Sequence, residues 1–122
     1  MSVERLSMVT VQVRDFDAMV EWYRDVLGLT VLGVEPKEFC LMKAAHGSTT
    51  IALATDHPDR IPDRPGVGWT PNFAVDDFDG VVAELRRRGV VFDAEEEGAD
   101  EGYRLVRVRD PEGNAIGISP AG

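Results

Sequence analysis

Few side chains in this chain can do chemistry, and their spacing narrows what that chemistry is. The imidazole and thiol donors are two histidines, His46 and His57, and a single cysteine, Cys40. A zinc cage takes four such ligands at set spacings, so this inventory is too thin for one, and a lone cysteine makes no internal disulfide. Cys40 stands between Phe39 and Leu41, the setting of a core thiol rather than of a nucleophile. His57 lies in Thr55-Asp56-His57-Pro58-Asp59, where the flanking acids suggest an ad hoc metal site and the proline-rich context favours a solvated histidine. His46 precedes a strand candidate; there it serves either a turn or, at the strand end, acid/base chemistry near neutral pH. Tyr103 is the second catalytic candidate.

Charge sets the next limit. Among 122 residues, 22 acids against 13 bases leave a net charge of −9, which argues against nucleic acid, whose phosphates need a Lys/Arg surface. Six of the acids fall within residues 93–101, either a solvated loop or a local negative field that attracts a cationic ligand. Apolar runs such as Ile51-Ala52-Leu53-Ala54 are far short of the roughly 20 residues of a membrane span, and the first residues lead into no signal-peptide apolar region. A cytoplasmic protein without membrane or nucleic-acid partners is expected.

The elements that must position these residues come in two copies. A shift of 62 residues superimposes Val13-Arg14-Asp15-Phe16-Asp17 on Val75-Asp76-Asp77-Phe78-Asp79, with one difference in five positions. Val20 then matches Val82 and Arg24 matches Arg86, and a one-residue adjustment aligns Gly28 with Gly89. Each copy opens with alternating strand-like residues, 8–13 and 70–75, and runs into an aspartate-led helix whose apolar side chains recur at helical spacing. Strands are expected at 30–34, 38–43 and 48–54 in the first half and at 90–92, 103–108 and 114–119 in the second. Asp110-Pro111-Glu112-Gly113 is a tight-turn signal between the last two. Residues 57–68, rich in proline, form a linker rather than a further element. The result is an α+β fold of two tandem βαβββ modules, 1–56 and 69–122, within one 1–122 domain, their mixed sheet curled around a cavity.

Trp22-Tyr23-Arg24-Asp25-Val26-Leu27-Gly28-Leu29 following the Val13–Asp17 segment, Phe73–Asp79, and Asp110-Pro111-Glu112-Gly113-Asn114 together resemble the glyoxalase/bleomycin-resistance/dioxygenase (vicinal oxygen chelate) superfamily. The resemblance spans residues 5–120 and implies the glyoxalase/bleomycin resistance/dihydroxybiphenyl dioxygenase fold. It says less about function, because one scaffold hosts many chemistries. Enzymes of that family mostly hold one divalent metal on His, Glu or other oxygen ligands from four strands. The resemblance puts those positions at Met8, Ala52, Thr70 and Gly117, where a thioether and a hydroxyl are the only donors. No metal or other cofactor is therefore expected.

Strand parity together with the resemblance turns Met8, Thr10, Gln12 and Thr70, Asn72, Ala74 inward, with Ala52 and Gly117 adding room for an organic ligand. Phe39 and Tyr103 are candidates for aromatic stacking, and Trp69 either lines the pocket mouth or packs the linker. Arg104 is either a counter-charge for an anionic ligand or the partner of Glu97 or Asp100. The function expected is metal-independent binding of a small, cationic or aromatic organic molecule, as in bleomycin-resistance-type sequestering proteins. The alternatives are a glyoxalase-like lyase or isomerase, a dioxygenase-related enzyme, or a structural role. A homodimer is expected, since open sheet edges favour pairing.

Overall fold

The computed structural model describes residues 1, 5–63, 70–93 and 102–121. The chain divides into two compact units, Met1–Pro62 and Asp63–Gly122, the division falling inside the 57–68 segment. In the first unit, β1 (Met8–Gln12) leads through Asp15 into α1 (Phe16–Glu21), which continues as a π-helical turn over Trp22–Val26. Then come β2 (Thr30–Glu35), β3 (Phe39–Lys43) and β4 (Thr50–Ala54). The second unit repeats the series with β5 (Asn72–Val75), α2 (Phe78–Arg87), β6 (Val91–Phe92), β7 (Val106–Arg109) and β8 (Ala115–Pro120). Each unit has a four-stranded mixed sheet of one topology, β1-β4-β3-β2 and β5-β8-β7-β6, in which the strand before the helix pairs parallel with the last strand. The βαβββ duplication is thus present in the fold.

The one-residue adjustment between the copies has a structural cause. Arg24 and Arg86 align at a shift of 62, Gly28 and Gly89 at 61, so the first helix carries one more residue between them. That residue is taken up as the π-turn: the Leu27 amide donates to the Trp22 carbonyl at 3.3 Å, five residues back, whereas in the second copy the Arg88 amide donates to Glu84 at the ordinary four. Widening one turn keeps Tyr23 buried, edge-on to Trp22 with ring centroids 5.1 Å apart, and still lets Gly28 leave the helix at positive φ.

Helix and sheet bury one face against each other in both units. Val13, Phe16, Met19, Tyr23, Cys40, Met42 and Leu53 make the first core; Phe78, Leu85, Val106, Val108, Ile116 and Ile118 make the second. On β3 the fully buried Cys40 and Met42 alternate with half-buried Phe39, Leu41 and Lys43, and on β7 Val106 and Val108 alternate with Arg107 and Arg109. Burial pushes the Cys40 thiol up, which fits the core role expected for it.

Several element boundaries differ from those expected. β5 begins at Asn72 rather than Thr70, since Pro71 has no amide to give a ladder and contributes only its carbonyl, which accepts from the Gly117 amide at 2.8 Å. β7 begins at Val106, so Tyr103 and Arg104 precede the strand instead of lying on it. The proline-rich segment between the two units contains a short 3-10 helix, Pro58–Arg60, with proline at its first position, where the missing amide costs nothing.

Surface ion pairs predict the response to acid. Arg87 and Arg88 hold the Glu84 carboxyl down at about 2, and Arg109 keeps Asp93 below its usual range through a paired contact at 2.5 and 2.7 Å. A carboxylate whose folded pKa is depressed lends stability above its unfolded pKa and loses it as pH falls through the folded one. Urea midpoints are therefore expected to hold steady on this account from neutrality to about pH 4.5 and to fall from there toward about pH 2. Glu84→Gln together with Asp93→Asn should flatten that fall; an unchanged acid slope in the double variant would assign it to other groups.

Candidate functional site

The second unit builds a pocket around the start of its helix. Asp77 sits in the left-handed region (φ 51°, ψ 61°) and its carboxylate accepts from the Gly80 amide at 3.3 Å. Gly80 allows this fold-over, because a Cβ there would fall on the carboxylate, with Asp77 Cγ only 2.7 Å away. In the first unit Asp15 caps Ala18 from an ordinary φ of −96°, so the two copies have diverged at this corner. The tight cap sets Phe78 and Asp79 on the first turn of α2, where the chain entering β7 crosses them. There Arg104 lies over the Phe78 ring, its guanidinium carbon 4.6 Å from the centroid, and donates to both Asp79 oxygens at 2.9 and 3.4 Å. Arg104 holds the Asp79 carboxyl below its usual range. Asn72, Tyr103 and Ser119 complete an open cavity of about 870 Å³.

Beside this cavity, Asn72 and Gly117 are cross-strand neighbours, and the Asn72 carboxamide leans over the glycine. A Cβ on Gly117 would fall on Asn72 Oδ1 and lie 2.9 Å from its Cγ, so the carboxamide occupies the space of a side chain at that position. Arg107 is the next residue in the same cross-strand row, on the face away from the helix. Phe78, Asp79 and Arg107 went unnoticed in the sequence. Phe78 and Asp79 were legible there only as part of a helix start, and the alternation of buried Val106 and Val108 was the signal for Arg107.

In the first unit, register places Met8, Thr10, Gln12, Phe39 and Ala52 on one sheet face, opposite Cys40 and Met42. Gln12 is committed locally: its amide nitrogen donates to Asp56 at 3.1 Å and its oxygen accepts from the His57 amide at 2.9 Å. His57 lies 3.4 Å from Asp56, and His46 is exposed in the bend between β3 and β4. His46 and Tyr103 fall in different units. Thr70 lies just before β5, its carbonyl accepting from the Asn72 amide group at 3.4 Å. Arg104 pairs with Asp79; Trp69 and the acids expected for Arg104, Glu97 and Asp100, lie outside the described residues.

The four positions that the family resemblance assigns to metal do not fit one. Met8 and Thr70 bring a thioether and a hydroxyl, Ala52 brings nothing, and at Gly117 the space is filled by Asn72. Among the described residues, no three His, Cys, Asp or Glu side chains gather as a cation site.

The family model described as the glyoxalase/bleomycin resistance protein/dioxygenase superfamily matches residues 5–118. No curated protein matches the chain significantly in sequence. Among solved structures, the fold is similar to TnmS3, an antibiotic-binding protein from Streptomyces sp. CB03234 (TM-score 0.80, 23% identity, covering 100% of this chain and 99% of that one). It is also similar to lactoylglutathione lyase from Agrobacterium tumefaciens (TM-score 0.78, 21% identity, 99% and 96%). A superfamily member from Sphaerobacter thermophilus DSM 20745 matches with a TM-score of 0.76 at 24% identity, over 97% and 98% of the two chains.

Proposed function

This chain belongs to the glyoxalase/bleomycin resistance protein/dioxygenase superfamily, and from that premise we propose that it is a metal-independent protein that binds and sequesters a small organic molecule. The observation that carries the proposal is the seat at Gly117. An enzyme of the metal-dependent kind needs a donor there, and this chain instead lays the Asn72 carboxamide over a glycine. A carboxamide offers a hydrogen-bond donor and an acceptor to an organic ligand, and its neutral oxygen is a weaker partner for a divalent ion than a carboxylate would be. Phe78 and Leu105 near it, with Tyr103 half exposed at 52%, suit an aromatic molecule, and Asp77, Asp79 and Arg104 add charge to the same wall. The acidic balance of the chain favours a cationic one. A cytoplasmic homodimer is the form we propose for it.

Titration with a cationic glycopeptide or another aromatic antibiotic is expected to quench tryptophan fluorescence saturably, at one ligand per chain, with the same midpoint before and after chelator. Quenching abolished by chelator would restore a metal-dependent reading. The placement of Tyr103 at the cavity favours one alternative, a lyase or isomerase that uses it as acid or base. Turnover that survives chelator and is lost in Tyr103→Phe would establish that alternative over simple binding.

A further inference from the structure

We propose that Arg104 is a placeholder, its guanidinium occupying on Phe78 and Asp79 the seat that a planar organic cation takes when ligand binds. The inference rests on the binding reading and deepens it by assigning the ligand's chemical class. The seat has the two parts such a group needs. The Phe78 ring is held rigidly because Phe78 is buried in the α2 core, and its face meets the guanidinium at 4.6 Å. Asp79 supplies a two-oxygen acceptor at 2.9 and 3.4 Å, the geometry that a guanidinium or amidinium matches with two parallel N–H donors. Both lie on the wall of the 870 Å³ cavity, so a cation seated there has room for the rest of its molecule against Tyr103, Asn72 and Ser119.

Exchange at Asp79 is helped because the Arg104–Asp79 pair is wet. The side chain of Arg104 is 43% exposed and that of Asp79 is 80% exposed, conditions under which an ion pair contributes little. An incoming ligand offers the same stacking and pairing and adds contact with the rest of the cavity, whereas Arg104 can retreat to solvent on its long stem. The resident side chain therefore lowers the apparent affinity of every cationic ligand by the fraction of time it holds the seat. An anionic ligand would use Arg104 in the opposite sense, as a partner to be kept.

The two senses separate in one experiment on the full chain, with phenylguanidinium, neutral phenylurea and benzoate as probes, followed by proton–nitrogen NMR shifts. Phenylguanidinium is expected to move the Arg104 Nε–H resonance in the unaltered protein and to bind Arg104→Ala about tenfold more tightly. Arg104→Gln, which keeps the stem and drops the charge, should show the same gain. Asp79→Asn should weaken phenylguanidinium severalfold in either background, and phenylurea should bind least. Benzoate binding that disappears in Arg104→Ala would overturn the proposal, as would phenylguanidinium that binds the variants no better than the parent or binds none of them. If an aromatic antibiotic still quenches fluorescence in that case, the binding reading stands and only the Arg104 seat falls; if it does not, both fall.

Discussion

Replacing Asp110 by alanine is expected to cost about 2–3 kcal/mol of stability and to loosen the β7–β8 hairpin. Asp110 is 4% exposed and organises its turn from the inside. One carboxylate oxygen accepts from the amides of Glu112 and Asn114, both at 2.9 Å, and the other accepts from the Asn114 side chain, also at 2.9 Å. Alanine leaves these donors without a partner in a turn that also relies on Gly113 at φ 86° and on the Gly113 amide meeting the Asp110 carbonyl at 2.9 Å. Asp110→Asn can still serve the two backbone amides but sets one amide group against that of Asn114, so an intermediate loss is expected. Urea midpoints read both variants. A loss below about 0.5 kcal/mol for alanine would mean that the backbone alone holds the turn. The effect reaches the candidate site, because the strand leaving this turn carries Gly117 and Ser119.

The second large effect is expected from Leu53→Ala, at about 3 kcal/mol. Leu53 is fully buried on β4, the strand that pairs with both β1 and β3 in the first sheet and on which α1 rests. Its register neighbours are Val11 and Cys40, in strands that offer little freedom to collapse into the space left behind. Thermal melting should fall by roughly 10 °C, and in urea the midpoint should fall with the slope unchanged. A loss near that of an exposed leucine would place the core elsewhere. Leu32, about half exposed on β2, is the matched control, and its alanine variant is expected to change stability by no more than about 0.5 kcal/mol.

The duplication was legible because it is written in local signals. An aspartate that caps a helix, apolar residues at helical spacing and a glycine that ends it act over a few residues, so each copy announces itself without its partner strands. Strand ends were less legible. Thr70, Tyr103 and Arg104 have the composition of strand residues, yet Pro71 cannot join a ladder, and the ladder of β7 starts only where β8 pairs with it. The extra residue in the first helix was visible as a shift in alignment, but a sequence does not say whether an insertion becomes a loop or a wider turn. The buried Tyr23 decides that here, since a loop would remove it from the core.

The candidate site divides along the same line. That Met8, Ala52, Thr70 and Gly117 offer almost no donors follows from residue type alone, and no folding can alter it. What Arg104 touches could not be read in the same way. The fold brings it to Phe78 and Asp79, about 25 residues away in the chain, because the turn into β7 passes the first turn of α2. Likewise the Asn72 carboxamide over Gly117 depends on a cross-strand register set by the parallel pairing of β5 with β8. By itself the sequence determined the repeated βαβββ elements and the chemistry missing from the four family positions, since both depend on side-chain type and short-range spacing. Only the tertiary structure decided which side chains share a cavity, because contacts between residues far apart in the chain exist only once strand pairing and helix packing have brought them together.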